Sequence, residues 1–267
     1  MSNITKNLAI ALLAFTLIGC ASTGAKSPRD PLENFNRTMF TFNDAVDAKV
    51  LKPVAEVYKQ VLPTFVQIGV GNFFSNLGDV WTGVNNVLQG KGADGASDLM
   101  RFAINSSLGI GGLIDIASNA GLPRHKEDFG QTLGKWGVIS GPYLVLPLLG
   151  PSTVRDALVL PIEWKGDLWS YKDPVRWRNV GAAVRVVDGR AAALDASNLI
   201  EEAALDRYEF VRDAYLQRRQ NTVDDGDSDK SISFDDDGKI QKPAAIPDGS
   251  ADKKTNSEPA AEALAAK

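Results

Sequence analysis

Few side chains in this chain could make or break bonds, and their spacing decides against most of the options. The single imidazole, His125, sits in the charged run Arg124-His125-Lys126-Glu127-Asp128. A Ser-His-Asp hydrolase needs a serine on a tight strand-to-helix turn of the form G-x-S-x-G, and Gly137-Val138-Ile139-Ser140-Gly141 carries its serine one place late. Without that nucleophile His125 reads as a solvated loop residue. A metal centre needs several His, Cys or carboxylate ligands at fixed spacing, which one His and one Cys do not provide. Asp235-Asp236-Asp237 lacks the glycine and glutamate placement of a calcium loop. Gly109-Ile110-Gly111-Gly112 starts a G-x-G-x-x-G phosphate loop but does not complete it, because position 114 is Ile and no strand pattern precedes it. No catalytic residue, cofactor or metal is therefore expected.

The remaining reactive group is Cys20, which closes a short apolar run over residues 8–19 preceded by Lys6. A charged start, a short apolar centre and a small residue before the break make a signal peptide, and the run is too short to cross a bilayer of about 30 Å. A cysteine at the cleavage point predicts a bacterial lipoprotein signal over residues 1–19, with Cys20 acylated as the first residue of the mature chain. The competing reading is an ordinary secretory signal containing a thiol. Ala21 follows, where an Asp would be the usual inner-membrane retention signal, so the likeness to a lipobox implies the outer membrane. Cys20 is the only cysteine, which excludes a disulfide within the chain.

The acidic balance is confined to one end. Residues 221–267 hold eleven acidic against six lysine side chains, a net −5 out of −4 for the whole chain, leaving about +1 on the rest. With few large apolar residues, this segment cannot offset its ordering entropy and is expected to be a disordered acidic tail. A body of about +1 lacks the basic surface that nucleic acid requires.

The elements that must position everything else read as helices. Asp30-Pro31-Leu32-Glu33 looks like a capped helix start, and Leu32, Phe35, Met39, Phe42, Val46 and Val50 form an apolar stripe opposite Asn34, Arg37, Thr41 and Asp44, limited by Pro53. Val54, Val57, Tyr58 and Val61 repeat the pattern up to Pro63. Residues 64–89 and 94–107 are helical in period, the first interrupted by Gly69, Gly71, Gly78 and Gly83, which implies close packing or bends. The most apolar stretch, residues 141–151, is broken by prolines into an extended or re-entrant segment. Trp164, Trp169 and Trp177 interleave with Lys165, Lys172, Arg176 and Arg178, as either a bilayer-interface belt or a core aromatic cluster with a basic rim. Residues 181–220 are the longest uninterrupted helical pattern. Strand signals are scarce, so the fold class is all-α.

Four ordered stretches resemble the MlaA (VacJ) lipoprotein family: Asp30-Pro31-Leu32-Glu33-Asn34-Phe35-Asn36-Arg37-Thr38-Met39-Phe40-Thr41-Phe42-Asn43, Glu127-Asp128-Phe129-Gly130-Gln131-Thr132-Leu133-Gly134, residues 141–150 and Ser152-Thr153-Val154-Arg155-Asp156. The resemblance covers about residues 30–220, between a tether at 20–29 and the tail at 221–267. It implies a non-enzymatic outer-membrane lipoprotein of the lipid-asymmetry system: a ring of amphipathic helices in the bilayer, around a central passage for mislocalised phospholipids. It implies a phospholipid cargo, a periplasmic MlaC-like shuttle and trimeric porins as partners. The competing classes are a structural lipoprotein scaffold that binds porins and a membrane phospholipase. With the resemblance in view, Phe35, Met39 and Phe42 are expected to meet lipid or the ring's apolar body, and Asn36, Arg37 and Asn43 polar surroundings. Tyr143, Leu144, Leu146, Trp164, Trp169 and Trp177 are candidates for the passage or the membrane surface. Gly111, Gly112, Gly137 and Gly141 are candidate hinges of a gating loop.

Overall fold

The computed structural model describes residues 30–225. Cys20, the signal and tether, and the tail from residue 226 lie outside the described residues. Helix α1 (Glu33–Val46) continues through a π-turn (Asp47–Leu51) into α2 (Lys52–Val61). The stop expected at Pro53 does not occur. The proline falls in the first turn of α2, directly after the π-turn has shifted the hydrogen-bond ladder, where a missing N–H costs little. Nor is Asp30 a helix cap: Leu32 occupies that position without a side-chain cap, and Asp30 is wholly buried.

Helices α3 (Thr64–Leu88) and α4 (Gly92–Ser107) fold back on each other across Gln89-Gly90-Lys91. They cross at two glycines. A Cβ on Gly83 would stand 3.0 Å from Gly95 O, and one on Gly95 2.8 Å from Gly83 O, so only hydrogens permit this approach. Short helices α5 (Ile116–Asn119) and α6 (Phe129–Lys135) follow; Asp115 and Asp128 cap them through Ser118 N and Gln131 N. The Pro-broken segment then forms the one sheet among the described residues, an antiparallel hairpin of β1 (Tyr143–Leu146) and β2 (Gly150–Thr153), with Tyr143 opposite Thr153 and Leu146 opposite Gly150. The extended reading of that segment is thus realised as paired strands in an otherwise helical fold.

The pattern over residues 181–220 is three helices, not one. After α7 (Val154–Gly166) and a 3₁₀ turn (Leu168–Tyr171) come α8 (Val175–Ala192), α9 (Leu194–Ala203) and α10 (Arg207–Val223). Asp206 starts α10 by accepting from Glu209 N, and the helix runs on to Val223. The longest helix among the described residues is instead α3, which runs unbroken through its four glycines.

Packing closes a circuit. Helix α1 lies on β1, the hairpin on α7, α7 on α6, α6 on α3, α3 on α8, and α8 on α2, which continues back into α1. What fills this circuit is not an oil-like core. Among the described residues nine apolar side chains are buried, against eighteen polar or charged ones, while thirty-three large apolar side chains are exposed. In a body bathed only in water that ratio runs the other way. The apolar clusters are small: Ala55, Ala191 and Leu194 with Tyr58, and Tyr143, Val145 and Tyr208 with Met39, Phe40, Tyr215 and Leu216. Helix α3 shows the inversion within one element. Asn76, Asp79, Thr82, Asn85 and Asn86 point inward, and Phe65, Ile68, Val84, Val87 and Leu88 outward. No helix among the described residues is long and apolar enough to cross a membrane.

Candidate functional site: a polar interior with an amphipathic cleft

Most of the inward polar residues pair with one another, as burial away from water favours; Asp79 Oδ2 only faces Arg101 Nε at 3.4 Å, and Asn76 Oδ1, Gln131 Oε1 and the Tyr143 hydroxyl are buried without a hydrogen bond among the described residues. Arg101, wholly buried, donates to both carboxylate oxygens of Asp115 at 3.0 and 3.1 Å and to Leu122 O. Asn105 accepts from the amides of Ile116 and Ala117 and donates to Asp115, so α4 carries the start of α5. Asn86 donates to Asp98 at 2.7 Å, and the other oxygen of Asp98 lies 2.9 Å from His125 Nδ1. His125 is therefore a partner in this network and not the solvated loop residue its charged neighbours suggest.

A second polar device joins α1 to the hairpin. Asn36 donates to Tyr143 O at 3.0 Å and accepts from Val145 N at 2.8 Å; two turns later Asn43 donates to Leu146 O at 2.9 Å and accepts from Leu148 N at 2.7 Å. Spaced by seven residues, the two amides sit on one helix face and hold strand β1 at both ends. Asn36 also donates to Asp30, which accepts the Tyr208 hydroxyl from α10. Arg37 binds Glu33, Asp206 and Glu209 and lies 4.4 Å over the Tyr208 ring, tying α1 to α10.

The open space lies between α3, the entry to α6, the end of α7 and α8. It is a cleft of about 430 Å³ lined by Gly78, Trp81, Thr82, Glu127, Asp128, Glu163, Trp164, Gly166, Asp167 and Arg185. That volume lies within the range of small-molecule sites. Two of the lining side chains are indoles and five are charged. Trp81 stands against Gly166 so closely that a Cβ there would be 2.2 Å from the indole, and its Nε1 donates to Glu163 at 2.8 Å. Glu163 also accepts from Phe129 N. Burial raises the Glu163 pKa above the ordinary carboxylate value, the bond from Trp81 opposing it. Burial also works to raise Asp128 and Asp156, but the Arg219 guanidinium, bonded to both, holds each below that value. Among the described residues no group of three or more side chains could hold a metal.

The residues singled out from sequence distribute unevenly over this arrangement. Trp164 lines the cleft and is exposed, and Trp177 and Phe42 are exposed. Trp169 is instead part of an aromatic cluster with Phe73 and Phe74, its Nε1 donating to Arg178 O. Alternation along β1 turns Tyr143 inward, where it is wholly buried against Tyr208 and Tyr215 instead of lying on a surface. Leu144 and Leu146 are half-buried on the opposite face. Asn36 does face polar groups, and they are the hairpin backbone and Asp30. Phe35 is half-buried, and Met39 packs on the tyrosine cluster. All four hinge candidates, Gly111, Gly112, Gly137 and Gly141, hold positive φ. Gly112 is in addition wedged against Asn76, where a Cβ would meet Nδ2 at 2.6 Å. Gly137 and Gly141 bracket Val138 and Ile139, the latter 83 % exposed. Of the cleft lining, Trp164 and the Glu127-Asp128 motif are the parts legible in the sequence; Trp81, Glu163, Gly166 and Arg185 carry no sequence signal that points to it.

The profile of the family described as MlaA lipoprotein matches residues 28–222. The chain is 36 % identical over 231 residues to the intermembrane phospholipid transport system lipoprotein MlaA of Escherichia coli K12, covering 82 % of this chain and 89 % of that protein. The protein of the same name from Haemophilus influenzae is 34 % identical over 232 residues, covering 83 % and 92 %. A solved structure described as the structural basis for maintenance of bacterial outer membrane lipid asymmetry superposes with a TM-score of 0.61 at 37 % identity, over 73 % of this chain and 98 % of that one. An inverted helical circuit with these sequence matches leaves one assignment: the chain belongs to the MlaA lipoprotein family.

Proposed function

We propose that this chain is the outer-membrane lipoprotein of an intermembrane phospholipid transport system, taking mislocalised phospholipids out of the outer leaflet through its cleft and passing them to a periplasmic shuttle protein. The observation that carries the reading is the inversion of the body, with polar groups paired inside the circuit and large apolar side chains outside it. Such a body is suited to hydrocarbon: most inward polar groups have a protein partner to replace water, and lipid covers the outer face. A phospholipid needs one charged and one apolar wall along its path, and the cleft offers both, Arg185 and the carboxylates against Trp81 and Trp164.

Magnitudes favour the body over the anchor. One methylene equivalent withdrawn from water on each of the thirty-three exposed side chains is worth about 25 kcal/mol in all. A single acyl chain of myristoyl length gives only marginal, reversible binding, with K of roughly 10⁴ M⁻¹. Acylation of Cys20 thus serves sorting and orientation, and Cys20→Ala impairs delivery more than membrane affinity. On the same reading the exposed outer faces would seat trimeric porins, and the loop bounded by Gly137 and Gly141, with Ile139 exposed at its centre, would act as a gate. The proposal treats the chain as non-enzymatic. Reconstitution into vesicles tests it: the body without acyl chains partitions into bilayer and moves labelled phospholipid to a soluble acceptor, whereas a body that stays in the aqueous phase would defeat the reading.

A further inference from the structure

The cleft carries information about which headgroup it takes. Three of its four carboxylates already hold a cation: Glu127 pairs with Lys91 at 3.2 Å, Asp167 with Arg185 at 2.9 Å, and Asp128 with Arg219. Glu163 is different. No Lys, Arg or His among the described residues comes within 4.0 Å of it, and the cation it feels, Arg219, is committed to Asp128 and Asp156. Its partners are the indole N–H of Trp81 and the amide of Phe129, both neutral donors. A carboxylate half removed from water and left without a counter-charge is costly unless something cationic visits it. The surroundings fit a compact ammonium. Trp81, locked by Glu163 and Gly166, and Trp164 present indole surface in the same cleft, and an ammonium between an indole face and a carboxylate gains from both. Arg185, 46 % exposed in its side chain and bonded to Asp167 through Nη1 alone, keeps donors for a phosphate.

We infer that the cleft is a headgroup filter that selects phospholipids ending in an ammonium, of the ethanolamine or choline type, and disfavours those of net negative charge. Glu163 receives the ammonium, Trp81 and Trp164 wall it, and Arg185 receives the phosphate. Four lining carboxylates, with the three cations paired to them, leave one uncompensated negative charge to repel an anionic lipid. This inference rests on the transport reading above.

The test uses the full-length acylated protein in nanodiscs of equal phosphatidylethanolamine and phosphatidylglycerol, with bound lipid counted by native mass spectrometry. Ethanolamine lipid should exceed glycerol lipid by about fivefold, the ratio expected of one ammonium–carboxylate–indole contact. Glu163→Gln should bring that ratio close to one by lowering the bound ethanolamine lipid. Gln keeps an oxygen to accept from Trp81 but has no charge. Trp164→Leu, at a side chain exposed to the cleft, should reduce the ratio without affecting folding. Soluble glycerophosphoethanolamine should compete with ethanolamine lipid if the headgroup is read in the cleft; failure to compete would place recognition at the lipid-facing belt and overturn the inference. Equal binding of both lipids by the unmodified protein, or an unchanged preference in both variants, would also overturn it and leave the transport reading standing. Absence of any bound phospholipid would remove the transport reading itself.

Discussion

Gly78 offers the sharpest way to separate the cleft from the fold that contains it. It lies within α3 and lines the cleft, and a Cβ placed on it meets no atom within 4 Å, so a side chain there enters the opening without displacing protein. Two substitutions exploit this. Gly78→Ala removes a helix-interior glycine and should stabilise the protein by about 1 kcal/mol, a rise in melting temperature of about 2–4 °C for a body of this size. Its one methyl leaves the cleft open and transport normal. Gly78→Phe keeps about half of the helical gain but inserts a ring displacing roughly five waters' worth of volume, about a third of the 430 Å³ opening. Outer-leaflet phospholipid is then measured on intact cells with a membrane-impermeant amine label, in a strain carrying each variant as its only copy. The Phe variant should match the null strain while melting no lower than the unmodified protein; the Ala variant should match wild type. A stable Phe variant that clears the outer leaflet normally would show that lipid does not pass through this cleft.

Three further outcomes follow from other contacts. Asn43→Leu removes both bonds to the hairpin tip, a loss of about 1–3 kcal/mol, and should free the Leu148 amide to hydrogen exchange while the Val145 amide, held by Asn36, stays protected; equal loss at both amides would refute two independent clamps. Gly95→Ala places a Cβ 2.7 Å from Val87 Cγ2 and 2.8 Å from Gly83 O, so despite its helical gain it should destabilise by about 1–3 kcal/mol, read as a lower melting temperature. Asp128 and Asp156 have folded-state pKa values below their unfolded ones, so the stability they give is complete above the unfolded value of about 3.9 and is lost as pH falls from there through the lower folded values. Melting temperature should therefore drop progressively below about pH 4, and Arg219→Leu should be unstable already at pH 7 with a shallower acid slope. Identical slopes would refute the pairing.

How far the sequence discloses this molecule follows from what periodicity measures. A stripe such as Phe35, Met39 and Phe42 reveals that a helix has two faces, but not which face is inside. In a body that buries polar groups and exposes apolar ones the answer reverses, and α3 with its inward asparagines shows the reversal. Pro53 looked like a stop because the π-turn that accommodates it depends on backbone geometry and not on composition. The breaks at Ala193 and Asp206 interrupt a smooth apolar pattern with no glycine or proline to mark them. The hairpin hides for the opposite reason, since its prolines exclude a helix and strand pairing depends on the Asn36 and Asn43 clamps, over a hundred residues away in sequence. The cleft is the least legible part. Trp81 and Glu163 stand 82 positions apart, and only the folded circuit brings the indole to the carboxylate.

The central claim is that this chain removes phospholipid from the outer leaflet, and deletion with complementation tests it most directly. A strain lacking the chain should accumulate surface phospholipid, full-length protein should restore the normal level, and the Gly78→Phe variant should not. An outer leaflet of unchanged composition in the deletion strain would contradict the account.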